Sequence, residues 1–382
     1  MSEIKVNSIK GVAASTAAIT VNNTDGTCTA NITNNLSNRN KIINGGMTVH
    51  QRGDASATNS SDYLSSDRFL TNNNSSSQVA VTKSTDTPDG FSASTKWDCT
   101  TVDTSISAGD YFIIQQRIEG QNVQDFAKGT SSAKQFAVSF YIKATKTGVY
   151  TVELEDVDNS RGCSKTITVS DTNWNRYSLI YPADTTGAFT NDNGNSLSLN
   201  FWLLAGSTYN SGTLQTSAWS TLTNANRVSS SNVNAMDSTS NNFFLTGVQL
   251  EVGSVATDFE HRSFAQELAL CQRYCYAVPV GSTGHNYHAI MNGFYVNSSL
   301  FIGLLNLPTV MRGSPSLTTS GSFQTAGTAS ISVSSFTLND VAFDNVHSIQ
   351  FRATGSGATA GQGANFRNDA SNTAKFILSA EL

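Results

Sequence analysis

Paired carboxylates are the residues of this chain with the greatest chemical reach. In VELEDVDNSRG, Glu153 and Glu155 alternate onto one strand face, and Asp156 and Asp158 approach the turn. Two acids on one face can divide acid and base work at a glycosidic bond. Solvated charges that block edge pairing have the same pattern, and that is the simpler reading. Asn191-Asp192-Asn193-Gly194 could offer oxygens to calcium, but the same residues make a plain turn, because Asn, Asp and Gly tolerate positive φ. GSTGHNYH sets the imidazoles of His285 and His288 around the phenol of Tyr287. With no further metal ligand nearby it reads as a loop.

Saccharides are held by aromatic faces flanked by amides and hydroxyls. The tryptophans are Trp97, Trp174, Trp202 and Trp219. Trp219, in the loop TSAWSTLTNANR, is expected to be exposed and to stack on a sugar. In SLSLNFWLLA, Leu197, Leu199, Phe201 and Leu203 share one face, and Trp202 lies opposite, packed under a loop or exposed as a platform. A G-x-S-x-G elbow, a Walker loop and an H-E-x-x-H pair are absent from the sequence. Gly355, Gly357, Gly361 and Gly363 follow no βαβ pattern and read as a loop. The cysteines, an odd count of 5, include no C-x-x-C pair and are expected as buried free thiols. No catalytic residue, metal site or cofactor is assigned, a structural calcium is not favoured, and the chain is read as no enzyme.

These residues need strands to position them. Runs such as QVAVT, FIIQQRI, FAVSFYIKA, VYTVELEDV, KTITV, RYSLIYP, LSLNFWLLA and FFLTGVQLEV recur with turn signals between them, the pattern of an antiparallel sandwich. In the last run, Phe244, Thr246, Val248 and Leu250 are expected on one face. Ser263, with Gln266 three residues on, caps a helix predicted over Phe264–Tyr276, where Phe264, Leu268, Cys271 and Cys275 form an apolar stripe able to dock or to line a threefold axis. HAIMNGFYV, SLFIGLLNL, SISVSSFTL, VHSIQFRAT and FILSAEL predict a second sandwich. The fold class is all-β: an N-terminal arm over 1–40, a jelly roll over 41–262, a connecting helix over 263–276 and a distal sandwich over 277–382. The arm is poor in large apolar residues and must borrow burial from sister chains or another protein.

Charged residues make up 13% of the chain, about half the usual quarter. A net charge of −5 with no basic run leaves nucleic acid no electrostatic footprint. Such a polar, uncharged exterior suits neutral glycans. No secretory signal opens the sequence, and no apolar run is long enough for a helical membrane span, so a soluble product without membrane insertion is expected.

LTGVQLEVGSVATDFEHRSFAQELALCQRYC resembles the junction in a family of phage tail-fibre and tail-tip proteins of the cyanophage or marine type, where a carbohydrate-binding-module-like jelly roll hands over to a distal sandwich. KIINGGMTVHQRG, SSDRF, IIQQRIEG, SFYIKATKTGVYTVEL and LPTVMRGSPSLTTSG are similar to that family in the same order. Asp258 stands where the family often has Pro, and Cys275 where it often has Tyr. The resemblance implies a homotrimeric virion protein, synthesised in the host cytoplasm. Its N-terminal strand, with Ile4, Val6 and Ile9, would attach to a tail, baseplate or adaptor protein. Its distal tip, with His285, Tyr287 and His288, would contact host surface polysaccharide, with Trp219 as a further contact. The resemblance also implies a core position for Trp174. The alternatives are a glycan-depolymerising tailspike enzyme and a purely architectural fibre or baseplate component.

Overall fold

A computed structural model describes residues 6–9, 12, 19–21, 24, 28–30, 37–278, 287–338, 346–369 and 374–382. Near the start, β1 (Ser8–Ile9), β2 (Ile19–Val21) and β3 (Cys28–Ala30) pair in that order as an antiparallel sheet. Val6 and Ile9 are exposed, and Ile4 lies outside the described residues.

The jelly roll contains β4 (Ala55–Thr58), β5 (Asp62–Tyr63), β6 (Leu70–Asn73), β7 (Gln78–Ser84), β8 (Ser94–Thr101), β9 (Tyr111–Glu119), β10 (Phe136–Ala144), β11 (Gly148–Asp156), β12 (Arg161–Val169), β13 (Asn175–Tyr181), β14 (Asn195–Ala205), β15 (Ser220–Thr221) and β16 (Asn242–Val252). A front sheet runs β15-β12-β11-β14-β9-β6-β5, and a back sheet runs β13-β10-β16-β8-β7-β4. Phe112, Ile114, Leu154, Leu199 and Phe201 from the front meet Trp97, Phe136, Phe140, Phe243 and Leu245 from the back in one core. Each such side chain contributes about 1.5–3 kcal/mol by leaving water.

Strand β16 departs from simple alternation. Phe243 and Leu245 enter the core, and so do Val248 and Leu250, because a bulge opposite Ser139 and Tyr141 changes the register. Gly247 sits there at φ +63°, and a Cβ would come within 2.8 Å of Phe91 and Tyr141. Phe244 and Thr246 therefore face away from Val248 and Leu250, which corrects the single face expected for all four. Both faces of the strand are covered. The segment preceding β4 lies along it, with Glu260 accepting from the Asn38 and Asn40 amides at 2.6 and 2.8 Å and Arg262 donating to the Ile42 carbonyl at 3.0 Å. Gly45 approaches the Val248 carbonyl so closely that a Cβ would lie 2.1 Å from its oxygen.

Ser263 caps the connecting helix α2 (Phe264–Gln272) through the Gln266 amide, as expected, but the helix is shorter than predicted. Cys275–Val278 is instead β17, because CYAV pairs with β26 (Lys375–Ser379). Glu267, Cys271 and Tyr274 turn inward; of the predicted stripe, Cys271 and Cys275 are buried, Leu268 is half-buried and Phe264 is exposed, so only its C-terminal part lies on the buried side. The distal unit adds β18 (Ala289–Tyr295), β19 (Leu300–Asn306), β20 (Ser316–Ser320), β21 (Phe323–Ala326), β22 (Ser330–Ser332), β23 (Ser335–Leu338), β24 (Ser348–Thr354) and β25 (Gly363–Asn368). Its sheets, β17-β26-β20 and β22-β21-β25-β18-β19-β24-β23, close on Phe301, Phe323, Phe351, Phe366 and Phe376. The protein is all-β, with α2 between two sandwiches.

Arginines of the segments KIINGGMTVHQRG, SSDRF, CQRYC and LPTVMRG converge where the sandwiches meet. Arg68 of SSDRF is 1% exposed, lies 3.5 Å over the Tyr274 ring of CQRYC and pairs with Glu381 of FILSAEL. Arg52 of HQRG reaches the same carboxylate at 3.1 Å. Arg273 grips Glu119 through two bonds of 2.8 Å. Arg312 donates to the main-chain oxygens of Ala380 at 2.9 Å, Glu381 at 2.8 Å and Asn193 at 3.2 Å. These arginines form a clasp between the domains.

Candidate functional site: the outer face of the front sheet

On the front sheet, residues two apart share a face. The face turned away from the core carries Glu153 and Glu155 from β11, Asn200 and Trp202 from β14, Ile113, Gln115 and Arg117 from β9, and Asn72 from β6. Strand pairing aligns them: Glu153 opposes Asn200, and Trp202 opposes Ile113. Trp202 is 1% exposed. The chain leaving β14 folds back over it through α1 (Ser207–Asn210), whose Tyr209 ring lies 5.3 Å from the indole. Tyr111 stands edge-on to Tyr209 at 5.6 Å and 89°. Arg227, returning from the same loop, lies 5.3 Å over the indole. Trp202 is thus packed under a loop, and half-buried Tyr111 and Tyr209 offer the accessible rings.

The acids are not solvated edge charges, as expected from their pattern. Strand β11 lies between β12 and β14, so their side chains project onto a covered sheet face. Glu153 is 1% exposed: Oε1 accepts from Arg227 Nε at 2.8 Å, and Oε2 from Arg227 Nη2, Asn200 Nδ2 and Trp202 Nε1 at 2.9, 3.0 and 3.0 Å. Glu155 shares Arg227 Nη2 at 2.7 Å and Asn200 Nδ2 at 3.1 Å through Oε2. Burial and the adjacent Glu153 carboxylate push the Glu155 carboxyl upward, against the pull of Arg227. Gln115 donates to Asn200 Oδ1 at 2.7 Å and accepts from Arg117 Nε at 2.8 Å, which fixes both amides. A cavity of 240 Å³ lies on this floor, with Asn72, Tyr111, Gln115, Glu155, Tyr209 and Arg227 in its lining. Apolar ring edges next to amides and a guanidinium-neutralised carboxylate suit an uncharged ligand rich in hydroxyls.

Of the sequence-predicted contacts, Trp219 is 5% exposed, with its indole donating to the Pro182 carbonyl at 2.8 Å and its ring packed on Phe136. It belongs to the core and cannot stack on a sugar, which corrects that expectation. His285 lies outside the described residues. Tyr287 and His288 are exposed on the distal domain, with Arg367 4.7 Å over the Tyr287 ring. They are not brought together with the groove residues. Trp174 is half-buried on the outer side of the back sheet, donating to Asp86 at 2.9 Å, so the core position implied for it is also corrected. Asp192 and Gly194 form the predicted turn, closed by a 2.8 Å bond. Tyr111, at the first position of β9, falls just outside the apolar run FIIQQRI, and Tyr209 and Arg227, on the segment that folds back over β14, carry no periodicity, so all three were missed. The available signal was the polar alternate face of FIIQQRI, VELED and SLSLNFW.

No protein-family model matches the chain, and no curated protein matches its sequence. Among solved structures, the enzymatically active domain of tailspike protein 4 of bacteriophage CBA120 is similar at 14% identity and a TM-score of 0.27, over 56% of this chain and 21% of that one. A structure described as CBM4 is similar at 9% identity and a TM-score of 0.28, over 55% of this chain and 99% of that one. The family 11 carbohydrate-binding module of the cellulase Lic26A-Cel5E of Clostridium thermocellum is similar at 12% identity and a TM-score of 0.27, over 55% and 99% of the two chains. The chain spans about a fifth of the tailspike domain. Similarity at this level carries no functional weight, so the function rests on the groove itself.

Proposed function

We propose that the chain is a glycan-binding structural protein whose front-sheet groove takes a neutral saccharide. One observation carries this reading: two accessible tyrosine rings, two amide side chains and a carboxylate converge on one cavity over a fixed indole floor. The rings suit the C–H faces of a sugar, and the carboxylate and amides suit its hydroxyls. Binding is favoured over hydrolysis, because both oxygens of Glu153 are occupied and Glu155 shares the same guanidinium and amide. A glycosidase needs one protonated acid and one free base or nucleophile at the bond. Arg227 and Asn200 here hold both acids as acceptors.

The finer reading is a receptor-binding virion protein, a trimeric phage tail fibre docked through its N-terminal strands. It is supported by the motif resemblance, by the exposed Ile9 of β1 and Val6 just before it, and by the small arm sheet. In a trimer, three weak sites would act together, and avidity can raise binding by about 10²–10⁴.

A glycan array probed with the intact chain and with Tyr209→Ala tests the binding function. Binding to neutral glycans that the variant loses is the expected result. Binding confined to sialylated or sulfated glycans, or unaffected by the variant, overturns the reading.

A further inference from the structure

The groove does not stop at the cavity over Trp202. Asn72 lines that cavity and also a second one of 480 Å³, which reaches Arg117 on β9, Leu70 on β6 and Tyr63 on β5. The far wall of the second cavity is the distal domain, through Arg312, Ser316 and Ser379. Asp62, Tyr63, Ser316 and Ser379 in turn line a third cavity, of 590 Å³, between the β4 hairpin and β20. From β11 to β5 the front sheet order is β11-β14-β9-β6-β5. Four interstrand steps of about 4.8 Å make a track of roughly 19 Å across the strands before it enters the domain junction.

The lining beyond Asn72 keeps the same chemistry. Ser61, Ser314, Ser316 and Ser379 supply hydroxyls, and Asp62 supplies an exposed carboxylate. The two arginines there are already engaged. Arg117 donates to Gln115 at 2.8 Å and to the Leu382 main-chain oxygen at 2.6 Å, and Arg312 donates to three main-chain oxygens. With these guanidinium donors spent on amide and main-chain oxygens, the lining offers a neutral polyol hydroxyls, a carboxylate and amides.

Resting on the glycan-binding function, we propose that the ligand is an unbranched neutral polysaccharide. Its chain crosses the front sheet from Trp202 and continues into the junction, where the distal domain forms one wall of the site. The clasp then has a binding role, since it fixes that wall against the sheet.

Calorimetric titration of the intact chain with neutral gluco-, manno- and galacto-oligosaccharides of two, four and six units tests this. In the series that binds, affinity is expected to rise about tenfold or more from two to six units. Ser316→Tyr, which fills the junction, is expected to abolish that rise and leave the two-unit affinity unchanged. Asp62→Ala, a truncation of an exposed side chain, serves as the second variant and is expected to weaken six-unit binding alone. Affinity that saturates at two units, or a six-unit gain that survives both variants, overturns the junction site while the front-sheet function stands. Failure of every oligosaccharide to bind overturns both.

Discussion

Glu381 holds the two domains together, and removing its carboxylate is a demanding test of the clasp. Its side chain is 7% exposed and bridges Arg68, at 1%, and Arg52, at 12%. Glu381→Ala leaves the Arg68 guanidinium buried, with one bond to the Arg117 carbonyl at 2.6 Å, the Tyr274 ring beneath it and Nε without a hydrogen-bond partner. Removing one partner of a buried ion pair costs about 3–5 kcal/mol, because the remaining charge is uncompensated. For a unit of about 100 residues, each kcal/mol moves the midpoint by about 4–8 °C, so the distal domain should melt at least ~10 °C earlier. Scanning calorimetry of the intact chain should show an earlier, separate transition in the variant. Lys143→Ala, at a pair with Asp86 where the side chains are 31% and 42% exposed, is the control, with an expected loss below about 1 kcal/mol. A Glu381→Ala midpoint within 2 °C of the control would show that the clasp is not a buried electrostatic lock.

Three further predictions follow from the same geometry. Burial pushes the Asp67 carboxyl up to about 6, against the pull of Arg52 and Gln51. The native state therefore takes up a proton more readily than the unfolded chain, so this group's contribution is fully present below about pH 4 and is lost as pH rises through about 6. Relative to Asp67→Asn, the wild type should lose roughly 3 kcal/mol across that window in denaturant titrations, and parallel pH profiles would contradict this. Arg227→Ala strands Glu153 and should cost about 3–5 kcal/mol together with binding, whereas Tyr209→Ala should lose binding with a midpoint shift of only a few degrees; chemical denaturation and saccharide titration separate the two. Gly247→Ala forces a side chain to φ +63° against two aromatic rings and should destabilise by about 1–3 kcal/mol or more, while an unchanged midpoint would mean that the bulge relaxes freely.

The strand-rich architecture was legible because burial on one face imposes a period of two, which FAVSFYIKA keeps throughout and SLSLNFWLLA keeps from Leu197 to Leu203. The reading failed where backbone geometry breaks that period. Gly247 resets β16 through one extra residue, and CYAV leaves the helix because β26 supplies a pairing edge far along the chain. The polar strands β6, β20 and β25 were missed, since LTNN, SLTTS and GANFRN carry too little apolar alternation to stand out. The acids were found but misplaced: local sequence gives Glu153 and Glu155 a common face, but not whether β11 is an edge or an interior strand. Trp219 failed for a similar reason. A loop indole looks exposed until Phe136 and the Pro182 carbonyl close over it. The motifs quoted for the resemblance supply the clasp arginines Arg52, Arg68, Arg273 and Arg312 and part of the groove floor, through Ile113, Gln115 and Glu153, whereas Tyr111, Trp202, Tyr209 and Arg227 lie outside them.

The most direct test is a crystal structure of the intact chain with the tightest-binding neutral hexasaccharide from the titration series. Saccharide density packed on Tyr209 and Tyr111, with hydroxyls at Glu155 and Asn72 and the chain running toward Ser316, is the result this account predicts. Density on the Tyr287 and His288 surface with an empty front sheet would contradict it.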